Sequence, residues 1–157
     1  MAKANDIFSW ILRFFDDNDL PYDTVDGRPS IKIMMPLDGK IKSTNMYITA
    51  RDWSFTVNSY LPLSAEEDCR AAIAEYFTRV NYGMIFGKFE MDYEDGELRY
   101  TLSMDCEDRT GLSDSLMRSV IYMSRDMIEK YGDGLAAVMY GFMTPAQACE
   151  EAEKKKD

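Results

Sequence analysis

Residues 81–100, NYGMIFGKFEMDYEDGELRY, decide the fold because they read as the end of a helix followed by a β-hairpin. If Asp95 and Gly96 form a two-residue turn, the apolar side chains on both sides of it share one face. The predicted pairs on that face are Tyr93 with Leu98, Met91 with Tyr100, Phe89 with Leu102 and Gly87 with Met104. The opposite face is polar and places Asp92 across from Arg99. A slip of one residue would reverse both faces, so the pattern favours this register.

The sequence before the hairpin predicts one helix, three strands and a second helix. We predict strands over residues 30–37, 42–50 and 53–61 from their alternating apolar side chains. The first helix follows a candidate cap at Asn5 and ends within residues 16–21. Ser64 and Glu67 predict a capping box at the start of the second helix, and Gly83 predicts its left-handed end.

The segment after the hairpin reads as a third helix over about residues 113–131. Glycines at 132 and 134 predict a break there, followed by two short helices, the last opened by Thr144 and Pro145. The order α-β-β-β-α-β-β-α with extra short C-terminal helices is typical of an α+β domain, with helices packed on an antiparallel sheet. We expect one domain over residues 1–157.

The charge and composition exclude several function classes. With a net charge of −10, the chain is a poor partner for nucleic acid or an anionic membrane, since both need Lys and Arg to neutralise phosphate. No apolar run approaches the length that spans a membrane, and the N-terminus has no signal-peptide pattern. We expect a cytoplasmic protein.

The chain contains no histidine, which removes the commonest general base and the commonest transition-metal ligand. Its three cysteines, Cys69, Cys106 and Cys149, are far apart and form no metal-ligand spacing. The aspartates of residues 16–26 do not fit a calcium loop, which would need glycine where Tyr22 stands. We therefore expect no catalytic residue, metal or cofactor. The alternative is a small enzyme or ligand-binding protein that uses Tyr, Asp and Glu in a cleft between sheet and helices.

The first helix carries more large apolar side chains than one sheet face needs. Trp10, Ile11, Phe14 and Phe15 follow a helical spacing, and we interpret them as core residues or as a possible partner or dimer surface.

Several stretches of this sequence resemble the YbjN family, bacterial proteins described as sensory transduction regulators. They are residues 61–67 (LPLSAEE), 80–92 (VNYGMIFGKFEMD), 96–100 (GELRY), 138–142 (VMYGF) and the helix at 146–151. The family has a fold similar to that of type III secretion chaperones and no agreed catalytic residues. The resemblance implies a secretion chaperone-like fold and a protein partner or homodimer. We therefore predict a non-enzymatic protein-binding module, chaperone-like or regulatory, in a bacterial cytoplasm.

Overall fold

The computed structural model describes residues 1–155 and shows a six-stranded antiparallel sheet with helices on one face. The helices are α1 (Ala4–Asp17), α2 (Arg70–Asn81), α3 (Asp114–Met139) and α4 (Pro145–Glu153), and a 3-10 turn at Glu67–Cys69 precedes α2. The strands are β1 (Asp23–Thr24), β2 (Ser30–Pro36), β3 (Ser43–Arg51), β4 (Ser54–Ser64), β5 (Lys88–Met91) and β6 (Glu97–Asp105). Their order across the sheet is β1-β2-β3-β4-β6-β5. The predicted α+β class is confirmed, with β1 as an additional short strand.

Strand alternation separates a packed face from a polar one. In β4, Phe55 and Val57 are buried in the core, while Asn58 and Tyr60 lie on the opposite, more exposed face. The same alternation runs through β3 and β6, so one face of the sheet receives the helices. The four helices and this face enclose a single apolar core among the described residues.

The predicted hairpin is present as β5 and β6, but its register differs from the prediction by two residues. Phe89 lies opposite Tyr100, and Glu90, in place of Asp92, lies opposite Arg99. A shift of two residues keeps the paired strand side chains on their predicted faces. The apolar and polar faces of the two strands are therefore confirmed, and the individual pairs are corrected. The place of Tyr93 on the apolar face is wrong, because this residue lies in the turn after β5 and is 57% exposed.

The turn between β5 and β6 explains the different register. The N–H of Asp92 donates to the carbonyl of Glu97 at 2.9 Å, and the N–H of Gly96 donates to the carbonyl of Asp92 at 2.8 Å, which makes the turn longer than two residues. The Asp92 and Asp95 carboxylates each accept a hydrogen bond from a local backbone N–H at 2.9 Å, and these bonds stabilise the turn. Gly96 has φ of +77°, and its carbonyl accepts the N–H of Ala65 at 2.8 Å. This turn thus depends on the segment after β4 as well as on its own residues.

Two predicted helix caps are wrong. Asn5 lies inside α1, which begins one residue earlier, and the N–H of Ala4 donates to the Asp52 carboxylate at 3.0 Å. Ser64 ends β4, where it pairs with Glu97, so it does not cap α2. In contrast, the Thr144 cap of α4 and its following proline are confirmed.

The predicted break at residues 132–134 is also wrong, because α3 continues through both glycines to Met139. A Cβ atom at Gly134 would lie 2.4 Å from the hydroxyl oxygen of Tyr76. That buried hydroxyl donates to the carbonyl of Tyr131 at 2.7 Å. The glycine therefore allows close contact between α2 and α3 and does not end the helix.

Candidate functional site

Residues 81–87, which we call the presentation loop, expose three large apolar side chains between α2 and β5. Tyr82 is 92% exposed, Ile85 86% and Phe86 54%. Single exposed apolar residues are common on proteins, but three on one short loop form a patch of the kind that marks interaction sites. Sequence reasoning missed this site because it followed the periodicity of the strands, which a loop lacks. The available signal was the pair of glycines, Gly83 and Gly87, on either side of Ile85 and Phe86.

Hydrogen bonds and two left-handed glycines fix the backbone of the presentation loop. Gly83 and Gly87 have φ of +82° and +66°. The Tyr100 hydroxyl donates to the carbonyl of Phe86 at 2.7 Å, and a Cβ atom at Gly87 would lie 2.3 Å from that hydroxyl oxygen. The N–H of Met84 donates to the carbonyl of Asn81 at 3.0 Å. The exposed side chains are thus attached to a constrained backbone.

Asn81 closes the outer edge of the sheet beside this loop. Its side-chain oxygen accepts the N–H of Phe89 at 2.9 Å, and its side-chain NH₂ group donates to the carbonyl of Phe89 at 2.9 Å. The amide group therefore makes the two bonds that a neighbouring strand would make with β5. Edge strands with open N–H and C=O groups can recruit other chains, and this contact removes two of those groups.

A cavity of about 450 Å³ lies between the presentation loop and α3. Its lining includes Met84, Met123 and Met127, whose flexible side chains can adapt to different apolar surfaces. Its charged rim is formed by Lys130 and by Glu153, which accepts the Tyr131 hydroxyl at 2.6 Å. The loop and this cavity together form an apolar site with a polar border.

The residues predicted as a partner or dimer surface lie mostly in the core. Ile11, Phe14 and Phe15 are 0%, 3% and 2% exposed, because α1 turns this face towards β3, β4 and α3. They are therefore core residues of this chain, which is one of the two interpretations of the sequence, and their contact with a partner stays a prediction. Trp10 is partly buried against the same core, and its contact with a partner stays a prediction.

The Cys106 and Cys149 thiols are poor nucleophiles in this environment. Burial raises the pKa of the Cys106 thiol above its ordinary value, and the neighbouring Asp105 adds to that effect. Burial also raises the pKa of the Cys149 thiol, with a further contribution from Glu153. Cys69 is partly exposed at the start of α2. Residues 1–155 contain no group of three acidic or cysteine side chains placed to hold a metal ion.

A polar depression lies on the outer face of the sheet, whereas the core occupies the space between sheet and helices. The depression has a volume of about 740 Å³, and Tyr60 and Arg99 contribute to its lining. Arg99 is paired with Glu90 at 2.7 Å. Burial opposes ionisation of Glu90, but hydrogen bonds from Lys88 and Arg99 outweigh it and hold the pKa of this carboxyl below its ordinary value. This pair is a stable ionic contact with none of the raised carboxyl pKa that general acid catalysis needs.

Comparison with known proteins identifies the family. The sequence model of the YbjN family, described as "Putative bacterial sensory transduction regulator", matches residues 9–137. The fold is similar to the crystal structure of "YbjN, a putative transcription regulator from E. coli", with a TM-score of 0.60 and 11% sequence identity. The similarity covers 85% of this chain and 92% of that chain, and at this identity it concerns the fold alone.

None of the curated proteins matches this chain. Among residues 1–155, no helix has the length and apolar character needed to cross a bilayer. The family match nevertheless spans most of the sequence, and the chain belongs to the YbjN family.

Proposed function

We propose that this protein is a non-enzymatic regulatory module that binds a protein partner through the presentation loop. The observation that carries this proposal is the exposure of Tyr82, Ile85 and Phe86 on a constrained backbone. Large apolar and aromatic side chains that insert into a partner supply most of the energy at many interfaces. A loop that is already ordered loses little conformational entropy on binding, so more of that energy appears as affinity.

The methionine-lined cavity supports a chaperone-like or regulatory contact with a short segment of the partner. Met84, Met123 and Met127 can repack around different apolar side chains, which suits a site that accepts more than one sequence. The charges of Lys130 and Glu153 at its rim can orient the segment.

The charge of the whole chain supports regulation through protein contact. The family is described as sensory transduction regulators. A regulatory protein can act on DNA or on another protein. A net charge of −10 repels the phosphate backbone and weakens any direct contact with DNA. A protein partner is therefore the target that these properties favour.

Substitutions in the presentation loop test this proposal in the native cell. The tagged chain and its Ile85→Ser/Phe86→Ser variant are each used to recover partners. Tyr93→Ser, which changes a 57% exposed aromatic residue in the β5–β6 turn, is the matched control. We expect partners to be recovered by the wild type and the control and to be lost from the double variant.

Binding measured by calorimetry with a recovered partner gives the size of the effect. We expect the double variant to raise Kd at least about tenfold, as truncation of interface anchors does. Its thermal melt should stay within about 0.5 kcal/mol of wild type, because exposed residues add little to stability. Equal recovery and equal Kd for the wild type and the double variant would contradict the proposal.

A further inference from the structure

The exposed face of α3 carries a positive charge at one end and a negative charge at the other. Two copies of this face that meet antiparallel therefore have complementary charges. Arg118, Tyr122 and Asp126 are spaced by four residues, and all three are exposed. Side chains with this spacing form one ridge along a helix. The ridge reads positive, aromatic, negative in one direction and negative, aromatic, positive in the other.

A two-fold axis through Tyr122 brings these charges together in pairs. When two α3 helices cross antiparallel at this residue, Arg118 of each chain faces Asp126 of the other. Such an interface uses the same patch on both chains and produces each contact twice. We propose that this face of α3 is an interface between two copies of this chain.

The contacts that the three side chains make within one chain leave them available for this pairing. The Arg118 guanidinium lies 5.7 Å from the ring centre of Phe14 and donates to the Asn18 side-chain oxygen at 2.6 Å, which holds it near the ridge. Among the described residues, the Asp126 carboxylate forms an ion pair with the adjacent Arg125, at 3.4 Å. Arg125 also forms an ion pair with Asp38, so its charge is shared between Asp38 and Asp126. Asp126 is thus an exposed carboxylate with a weak local partner.

An apolar cavity beside Tyr122 provides a place for an aromatic ring. Its volume is about 150 Å³, and Phe14, Phe15 and Ile121 contribute to its lining. An apolar cavity of about this volume accepts a molecule the size of benzene. Tyr122 is 50% exposed and lines this cavity, so the proposed two-fold axis would place the Tyr122 ring of the second copy beside it. Buried residues of α1 would then contribute to dimerisation as the floor of a pocket.

A second copy fits this ridge better than an unrelated partner because the pattern is its own complement. The interface uses no residue of the presentation loop, so it can fail or hold independently of the proposed function. An exchange of charges within one chain provides the sharpest test, since two-fold symmetry changes both copies together.

The experiment is sedimentation equilibrium of the full chain over a range of concentrations. We expect the wild type to dimerise, and Arg118→Glu or Asp126→Arg alone to raise the dimer Kd about tenfold or more, because each places like charges opposite one another. The variant with both substitutions restores opposite charges and should dimerise nearly as tightly as wild type. Arg28→Glu, an exposed charge reversal in the β1–β2 turn, is the matched control and should dimerise like wild type.

Three results would overturn the proposal. They are a monomeric wild type over the whole concentration range, single variants that dimerise like the wild type, and a double variant as weak as the single ones. Circular dichroism melts of each variant identify loss of folding. Because Arg118 packs on Phe14 and Asp126 makes no such contact, Asp126→Arg keeps the test valid if Arg118→Glu is unstable.

Discussion

At the scale of single residues, one absent methyl group positions two helices. Gly134 allows the Tyr76 hydroxyl to approach α3 and reach the carbonyl of Tyr131. Burial raises the pKa of Tyr76 above its ordinary value, so this hydroxyl keeps its proton and its donor role well into the alkaline range. Glycine at this position therefore provides the space for that contact, although glycine lowers the intrinsic stability of a helix.

We expect Gly134→Ala to destabilise the protein by about 2 kcal/mol, because the new Cβ would lie 2.4 Å from the Tyr76 hydroxyl oxygen. Gly132→Ala is the matched control in the same helix. Its Cβ would lie 3.0 Å from the flexible end of Ile41, and the better helix propensity of alanine offsets that contact. Urea unfolding of both variants measures the difference.

Tyr76→Phe should rescue part of the loss in Gly134→Ala, because it removes the atom that the new methyl group meets. Additive effects of the two substitutions would show that this contact is not the cause.

Gly134 is also an example of a contact that the sequence alone does not predict. Two glycines two positions apart predict a helix break, and only the tyrosine on another helix explains why α3 continues. Contacts between residues far apart in sequence leave no local signal of this kind.

At the scale of elements, Asn81 acts as a substitute strand. Its amide group satisfies both backbone groups of Phe89 and closes part of the β5 edge.

We expect Asn81→Ala to lower stability by about 2 kcal/mol, because two hydrogen bonds are lost and both backbone groups are left without them. Thermal melts with simultaneous light scattering should also show more aggregation, since an open edge can pair with other chains.

Asn5→Ala is the control for this substitution. Asn5 is exposed on α1, so its replacement should change stability by less than about 0.5 kcal/mol. If Asn81→Ala melts and scatters light like wild type, the edge is protected by something other than this side chain.

The elements also differ in how far the sequence determines them. The alternation in residues 88–104 correctly separates the two faces of strands β5 and β6, since side-chain parity depends only on local order. Its register depends on Asp92, Asp95 and the contact of Gly96 with Ala65, which alternation does not record. The presentation loop has no periodicity, so its exposed side chains become visible only in the folded chain.

At the scale of the whole molecule, the buried tyrosines should make stability depend on pH in the alkaline range. No histidine is present, so no side chain has an ordinary pKa near neutrality, and we expect constant stability from about pH 6 to 8. Burial raises the pKa of Tyr100 to about 12. In the unfolded chain this tyrosine loses its proton near pH 10, so its stabilising effect is complete below that pH and is lost as the pH rises to about 12.

Unfolding by urea at several pH values between about 9 and 12 measures this loss, with the pH range set by these pKa values. Tyr100→Phe should reduce the slope of stability against pH, even though it also removes the bond to Phe86. Tyr93→Phe, at an exposed position, should leave the slope unchanged. An unchanged slope in Tyr100→Phe would assign the alkaline loss to other groups.

The strand order also determines when each part of the sheet can assemble during synthesis. Strands β1 to β4 pair with their neighbours in the chain, so every residue that this meander needs has been added once Ser64 is in place. The next partner of β4 is β6, which begins only at Glu97, after α2 and β5. Closing that longer loop costs more entropy than closing a hairpin. A ribosome therefore releases four strands of this sheet while the β4 edge still has no partner to pair with.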